Sequence, residues 1–289
     1  MNDGFINVLK PPGMTSHDIV SFLRKVYNIK KIGHAGTLDP GAAGVLPVAL
    51  GKATRFIEYL SDVDKAYRAE LTFGFSTDSG DDTGKVLQQQ DFIMPSAVAI
   101  KKVMAGLTGI ITQIPPVYSA IKINGQRACD LARKNIKVEI PKRQVCIHSL
   151  TMLTQRSTSI ILHTECSKGT YIRTLCMDIG KALQIPATMT FLVRTRVGSF
   201  ALENALTLEE IEQLPLAAIH RPDEVLSHLP VYKLPSDRIT AFINGLGTDV
   251  HSWEESDKRI RIYGNDRFIG IGRYDKDSHN IIPEKIFMK

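Results

Sequence analysis

Apolar positions in TSHDIVSFLRKVYN recur at Ile19, Val20, Leu23 and Val26, one face of a helix, with Thr15 or Ser16 placed to cap its start. The period changes at KAYRAELTFGF, where Tyr67, Ala69, Leu71 and Phe73 alternate with their neighbours and predict a half-buried strand. Upstream, FINVLKPPG reads as a strand closed by a proline turn, VLPVAL as a buried strand and KATRFIEYL as a short helix. Downstream, PSAVAIKKVMAGL predicts a helix with Pro95 near its first turn, and QRACDLARK a shorter one. VCIHSLTML, SIILHTECS and TMTFLVRTRVGSF predict strands, with the helix TYIRTLCMDIGKALQ between the last two. No regular β–α–β alternation appears, so the expected class is α+β with a mainly antiparallel sheet. The proline-rich LPLAAIHRPDEVLSHLPVYKLP reads as a linker, followed by one helix and short strands such as RIRIYG and RFIGIGRY. This divides the chain into residues 1–228 and a small C-terminal unit, 229–289.

Bulk composition narrows the function classes. Of 289 residues, 43% are hydrophobic, enough for a sizeable core, yet no apolar run approaches bilayer length. The N-terminus lacks the basic-then-apolar pattern of an export signal, so a cytoplasmic protein with no membrane contact is expected. Cysteines 129, 146, 166 and 176 form no CxxC pair and have no paired histidines nearby, which argues against structural zinc and for plain buried or half-buried thiols. GAAGVLPVALGKAT fails as a phosphate loop because Ala53 stands where a metal-holding hydroxyl is needed. The acidic DSGDDTG reads as a solvated turn. No metal and no cofactor is expected.

Charge does change the picture. The net charge of +6 leans toward a polyanionic partner, and residues 119–145 concentrate it, with seven Lys and Arg against two acids. This segment, around 115–145, suits a grip on phosphates and is expected to order when a nucleic acid binds. A second basic stretch runs from Lys168 through Arg173 and Lys181 to Arg194 and Arg196. Either could be simply a solvated face.

Between these features lies GHAGTLDPGAAGVLP, residues 33–47. Gly33, Gly36, Gly41 and Gly44 permit unusual backbone shapes and close approach by another molecule. Pro40 disfavours helix at Asp39, so the carboxylate is expected on a bent, extended backbone. In isolation, Asp-Pro-Gly is more often only a tight turn.

In its full context, GHAGTLDPGAAGVLPVALGKATR resembles the signature of the TruB family of pseudouridine synthases, the bacterial tRNA pseudouridine-55 synthases. INVLKPPGMTSHDIV, KAYRAELTFGFSTDSGDDTG, PPVYSAIKINGQRACDLAR, SKGTYIRTLCMDIGKAL and FLVRTRVGSF resemble further family blocks, in the family's order, across residues 5 to 200. The resemblance implies a pseudouridine-synthase fold, a mixed sheet flanked by helices, with a C-terminal PUA-like RNA-binding domain. It implies isomerisation of uridine in the T-loop of the tRNA T-arm by a base-flipping enzyme, acting as a monomer without an obligatory protein partner. Asp39 matches the catalytic aspartate, Tyr67 the tyrosine that stacks on the base, and Arg173 the arginine that pairs with the aspartate. His34, Tyr171 and Leu192 match positions around the flipped nucleotide, and Lys10 a supporting basic residue. The chain departs from the family at Ala43, Cys129 and Val193, where threonine, tyrosine and arginine are common. Those departures bear on loop packing and RNA contacts more than on chemistry. An arginine beside Asp39 is expected to lower its pKa. Two rivals share the basic segments: a non-catalytic RNA-binding protein and an aspartate-dependent base hydrolase.

Overall fold

The computed structural model describes residues 3–288 apart from 120, 124, 135, 137, 138, 251, 252 and 254–258, with backbone only at 122, 127, 129 and 133. Nine strands form the principal sheet: β1 (Gly4–Lys10), β2 (Ile32–His34), β3 (Ala43–Leu50), β4 (Lys65–Phe73), β5 (Gly109–Gln113), β6 (Arg143–Gln155), β7 (Ser159–Cys166), β8 (Ala187–Val197) and β9 (Phe200–Ala201). Their spatial order is β1-β3-β8-β4-β7-β6-β5, with β2 on β3 and β9 on β8. Every pairing is antiparallel except β3 with β8, where Ala43 and Gly44 face Val193 and Arg194. The mixed, mainly antiparallel sheet is therefore as expected.

Three helices cover it. α1 (Ser16–Tyr27) is opened by Thr15, whose side chain accepts from the Asp18 backbone while Asp18 returns the bond, a reciprocal cap. Its apolar face buries Ile19, Val20 and Leu23 against Ile6, Val8, Leu46 and Val48 of β1 and β3. α2 (Ala97–Gly106) is capped by Ser96, which sets Pro95 directly before the first turn. α3 (Ile172–Ala182) buries Leu175, Cys176 and Ile179 in one core with Tyr67, Ala69, Leu71 and Phe73, the alternating face of β4.

A second sheet contains β10 (Val231–Lys233), β11 (Thr248–Asp249), β12 (Arg259–Gly264), β13 (Arg267–Asp275) and β14 (Asn280–Ile286), ordered β10-β12-β13-β14-β11. It has its own core of Leu234, Phe242, Ile260, Ile262, Ile269 and Ile281. The proline-rich segment before it is not a free linker. His220 pairs with Phe5 of β1, Pro222–Val225 forms a helical turn, and Val225, Leu226 and Leu229 are buried with Phe56, Phe200 and Phe268. Arg261 fastens the same segment, donating to the carbonyls of Asp223, Ser227 and Leu229. Apolar residues placed between the prolines give the chain surface to bury, and this decides against an extended tether.

Within the basic insertion, Lys122–Ile123 pairs with Gln126–Arg127 in a hairpin and Ala128–Arg133 is helical. Lys137 lies outside the described residues, as do the side chains of Lys122, Arg127, Cys129 and Arg133. Among the described residues no helix is long and apolar enough to cross a membrane.

Candidate active site

The glycine loop after β2 is held at nearly every carbonyl. Arg194, reaching from β8, donates to the carbonyl oxygens of Gly36, Thr37 and Val45 at 3.1, 3.5 and 2.8 Å. Ser16, at the start of α1, exchanges hydrogen bonds with the Leu38 backbone in both directions. Lys10, ending β1, donates to the carbonyls of Pro11, Pro40 and Ala42 at 2.8, 3.2 and 2.6 Å. Ala42 N–H closes a four-residue turn on the Asp39 carbonyl. Pro40 occupies the second position of that turn, where its fixed φ fits. Two of the four glycines have positive φ, Gly36 and Gly44. At Gly44 a side chain would run into the backbone of Arg194, so glycine is required there by close strand approach. Gly41 faces open space and needs no such explanation.

This turn aims Asp39 into a cleft of about 870 Å³. Its floor is Arg173, the second residue of α3, which is only 5% exposed. Arg173 Nε lies 3.1 Å from Asp39 Oδ2, and Nη2 donates to Oδ1 at 3.3 Å, a two-point pair. Two further guanidinium hydrogens go to the carbonyls of Ser79 and Tyr118, at 3.0 and 2.9 Å. Asp81 Oδ2 stands 3.7 Å away. The acidic turn is thus not merely solvated: Ser79 and Thr83 hydrogen-bond Asp81 and turn it inward toward the arginine. Burial alone would raise the Asp81 carboxyl, but those bonds and Arg173 outweigh it and hold it below the usual range.

Asp39 itself goes the other way. Burial raises its pKa by more than Arg173 lowers it, Asp81 raises it further, and Lys10 opposes. The expectation of a lowered pKa is corrected here. The ion pair exists, but partial burial in the cleft disfavours the charge and a second carboxylate competes for the same arginine.

Tyr67, Tyr171, Leu192, Lys65 and Arg194 also line the cleft. Tyr67 is buried on β4, its phenol pushed up by burial, with the nearby Arg194 charge opposing. Tyr171 precedes α3, is clamped at its backbone by Gln113, and has the Arg143 guanidinium 5.5 Å from its ring centre. Leu192 closes the wall opposite as part of the central core. Two expected residues stand elsewhere. Lys10 is wholly buried behind the loop, its ammonium lowered to about 8 by burial. His34 ends β2 and does not line the cleft; burial lowers its pKa, and its Nδ1 is buried without a partner.

Arg194 and Lys65 escaped the sequence reading, which took the second basic stretch as surface or phosphate grip. Arg194 is 1% exposed and Lys65 is also buried, donating to the carbonyls of Ser61 and Val63, with its pKa lowered to about 8 by burial. The available signal was position. Arg194 sits mid-strand in FLVRTRV among apolar neighbours, where an unpaired surface arginine is unexpected.

Comparison with known proteins gives this geometry a family. The model for the N-terminal domain of TruB family pseudouridylate synthases matches residues 24–172, and that for the tRNA pseudouridylate synthase B C-terminal domain matches 173–237. The chain belongs to the TruB family. This TruB-family chain is 42% identical over 287 residues to tRNA pseudouridine synthase B of Caldanaerobacter subterraneus subsp. tengcongensis, spanning 99% of both. It is 41% identical to the same enzyme of Clostridioides difficile, spanning 96% of both. Among solved structures it resembles a Cbf5-Nop10-Gar1 complex, with a TM-score of 0.78 and 28% identity over 99% of this chain and 85% of that one. An H/ACA RNP bound to a substrate RNA containing 2'-deoxyuridine gives a TM-score of 0.77 at 26% identity, over 100% of this chain and 86% of that one.

Proposed function

We propose that this chain isomerises uridine to pseudouridine in the T-loop of tRNA, with Asp39 as the reacting carboxylate. The observation that carries the reading is Asp39 held by two points of Arg173 at the floor of an open cleft walled by Tyr67 and Leu192. Converting uridine to its C-glycoside breaks the bond from ribose to N1 and forms one to carbon 5, with loss of the proton there. Atoms are conserved, so no redox partner enters. The need is for one nucleophilic oxygen beside the base–sugar junction. Addition to carbon 6 of the ring and attack at the ribose are both open to a carboxylate in this position.

Arg173 orients that carboxylate and favours its ionised form against burial. Tyr67 and Leu192, side by side on one face of the sheet, supply a surface on which a flipped base stacks, and stacking offsets the few kcal/mol of extrusion. Burial works against a resident Tyr67 phenolate, so stacking is the role this environment favours. Lys10 acts on the chemistry through the loop, and His34 through its rim. The basic insertion and the C-terminal sheet, which we read as a PUA-like domain beginning near 229, hold the phosphates of the T-arm. We read the chain as acting alone in the cytoplasm; the relatives named tRNA pseudouridine synthase B support the reaction, whereas the two solved structures named above are of complexes.

The test is incubation of an unmodified T-arm hairpin with the purified chain. Pseudouridine should accumulate without free uracil, and Asp39→Asn should bind the hairpin and form none. Free uracil would convert the reading to a base hydrolase. Binding without turnover by the unaltered chain would leave only an RNA-binding protein.

A further inference from the structure

One other cluster on the molecule holds a nucleophile. Strand β6 directs Val145 and Ile147 into the core, which leaves Cys146 and His148 together on the opposite face. Cys146 is half-buried, and the side chains of His148 and Asp64 are 41% and 50% exposed. The Cys146 Sγ lies 3.6 Å from His148 Nδ1. On the far side of the ring, Nε2 lies 3.2 Å from Asp64 Oδ1. A carboxylate at Nε2 selects the tautomer protonated there and leaves the Nδ1 lone pair facing the thiol. Nucleophile, base and orienting carboxylate thus stand in sequence, the arrangement that activates a thiol. Cys166 and Cys176 contrast with it: both are buried, and burial pushes their thiols up to about 11 and about 12.

We propose that Cys146 is a thiol–disulfide exchange site for small disulfide molecules, with His148 as its base and Asp64 as the residue positioning that base. The Sγ proton passes to His148 Nδ1, and the thiolate attacks one sulfur of the incoming disulfide. A new S–S bond joins Cys146 to that sulfur, the reagent's own S–S bond breaks, and the departing thiolate recovers the proton from the imidazolium. The disulfide is itself the oxidant, and nothing else is consumed. The site adjoins the cleft, because Cys146 N–H donates to Ser167 Oγ, Ser167 N–H donates to the Cys146 carbonyl, each at 2.8 Å, and Ser167 lines the cleft wall.

The experiment treats the full chain with a chromogenic aromatic disulfide across the histidine and cysteine titration ranges and follows the Cys146 adduct by peptide mass mapping. At neutral pH, His148→Asn should slow adduct formation at Cys146 at least about tenfold. Asp64→Asn should slow it by a smaller factor. The unaltered chain should keep reactivity on the acid side of the thiol range that His148→Asn loses, while the melting temperatures of the variants stay near that of the unaltered chain. Equal rates at Cys146 in the unaltered chain and His148→Asn, or one simple thiol titration shared by both, would overturn the proposal. Should His148→Asn melt early, the pH profile of Asp64→Asn decides by the same criterion.

Discussion

Removing the anion and removing the cation of the Asp39–Arg173 pair should have unequal consequences for stability. In Asp39→Asn the amide oxygen keeps the 3.3 Å bond from Nη2, but its NH2 faces Nε, a donor against a donor. The ion-pair contact at Nε is lost, worth about 1 kcal/mol for a partly exposed carboxylate. Burial relief works against this loss. The folded carboxyl titrates above its ordinary value of 3.8, so between those two values the native state binds more protons than the unfolded chain. Stability from this group therefore falls as pH rises through that window, and asparagine, which never ionises, escapes the fall. Arg173 also retains Asp81 and two carbonyls. The net change is about 1 kcal/mol in either direction, a shift in Tm of about 4 °C at most. Arg173→Met instead leaves the buried carbonyls of Ser79 and Tyr118 without this donor, while Asp39, 38% exposed, keeps part of its solvation; the loss should be about 2–4 kcal/mol, roughly 8 °C. Scanning calorimetry at neutral pH measures both. Turnover, followed as tritium released from carbon 5 of a labelled hairpin, should drop on the order of 10⁴-fold or more in Asp39→Asn. An Asp39→Asn protein that melts as early as Arg173→Met would refute the reasoning about burial. One that turns over near the normal rate would remove Asp39 from the chemistry.

Three further outcomes follow from the same geometry. Tyr67→Phe keeps the stacking face and removes only the hydroxyl; hairpin affinity by filter binding should hold, while product formation slows at a late step and Tm falls by the equivalent of about 1 kcal/mol or less. A collapse of affinity would make the hydroxyl structural for the cleft. Lys10 uses three N–H donors on three carbonyls, and a neutral amine has only two, so turnover should decline as pH rises through about 8. On the acid side turnover should decline as Asp39 protonates, above the ordinary carboxylate range, and in Lys10→Met the alkaline limb should vanish from the pH–rate profile. Gly44→Ala should cost about 3–4 kcal/mol in urea unfolding, because its φ of 110° and the Arg194 backbone both exclude a side chain, whereas Gly41→Ala should stay within about 0.5 kcal/mol.

Alternation and capping made most elements legible. Tyr67, Ala69, Leu71 and Phe73 are all buried, and Thr15 caps α1. Such patterns are local, set by one segment's period. What stayed hidden depends on which strands lie side by side. The parallel contact of β3 with β8 joins residues about 150 apart, and no local period encodes it. For the same reason the proline-rich segment read as a tether. Its prolines are visible in sequence, but the aromatic residues that bury Val225 and Leu226 come from both ends of the chain. Asp39 was legible only through the whole block around it, since Asp-Pro-Gly alone describes a turn, and a turn is indeed what its backbone forms.

That strand order explains why cations accumulate behind a loop that must present an anion. Lys10 pairs with Gly44 across β1 and β3, Gly44 with Arg194 across β3 and β8, and Arg194 with Tyr67 across β8 and β4. Four site residues thus form one row over four adjacent strands. A register shift in β8 directly after Arg194 marks a bulge, which lets that row turn toward the cleft. Because each long cation in the row spends its donors on carbonyls, Asp39 gains a fixed position and feels Lys10 only at a distance, without a second hydrogen-bonded cation. A carboxylate neutralised on all sides would be a poor nucleophile, and one held by a loose loop would seldom meet the substrate. The row supplies rigidity from beneath, and Arg173 alone supplies the direct counter-charge. Mutating the row should therefore lower turnover through disorder of the loop. Mutating Arg173 should lower it through the charge state and direction of the carboxylate itself.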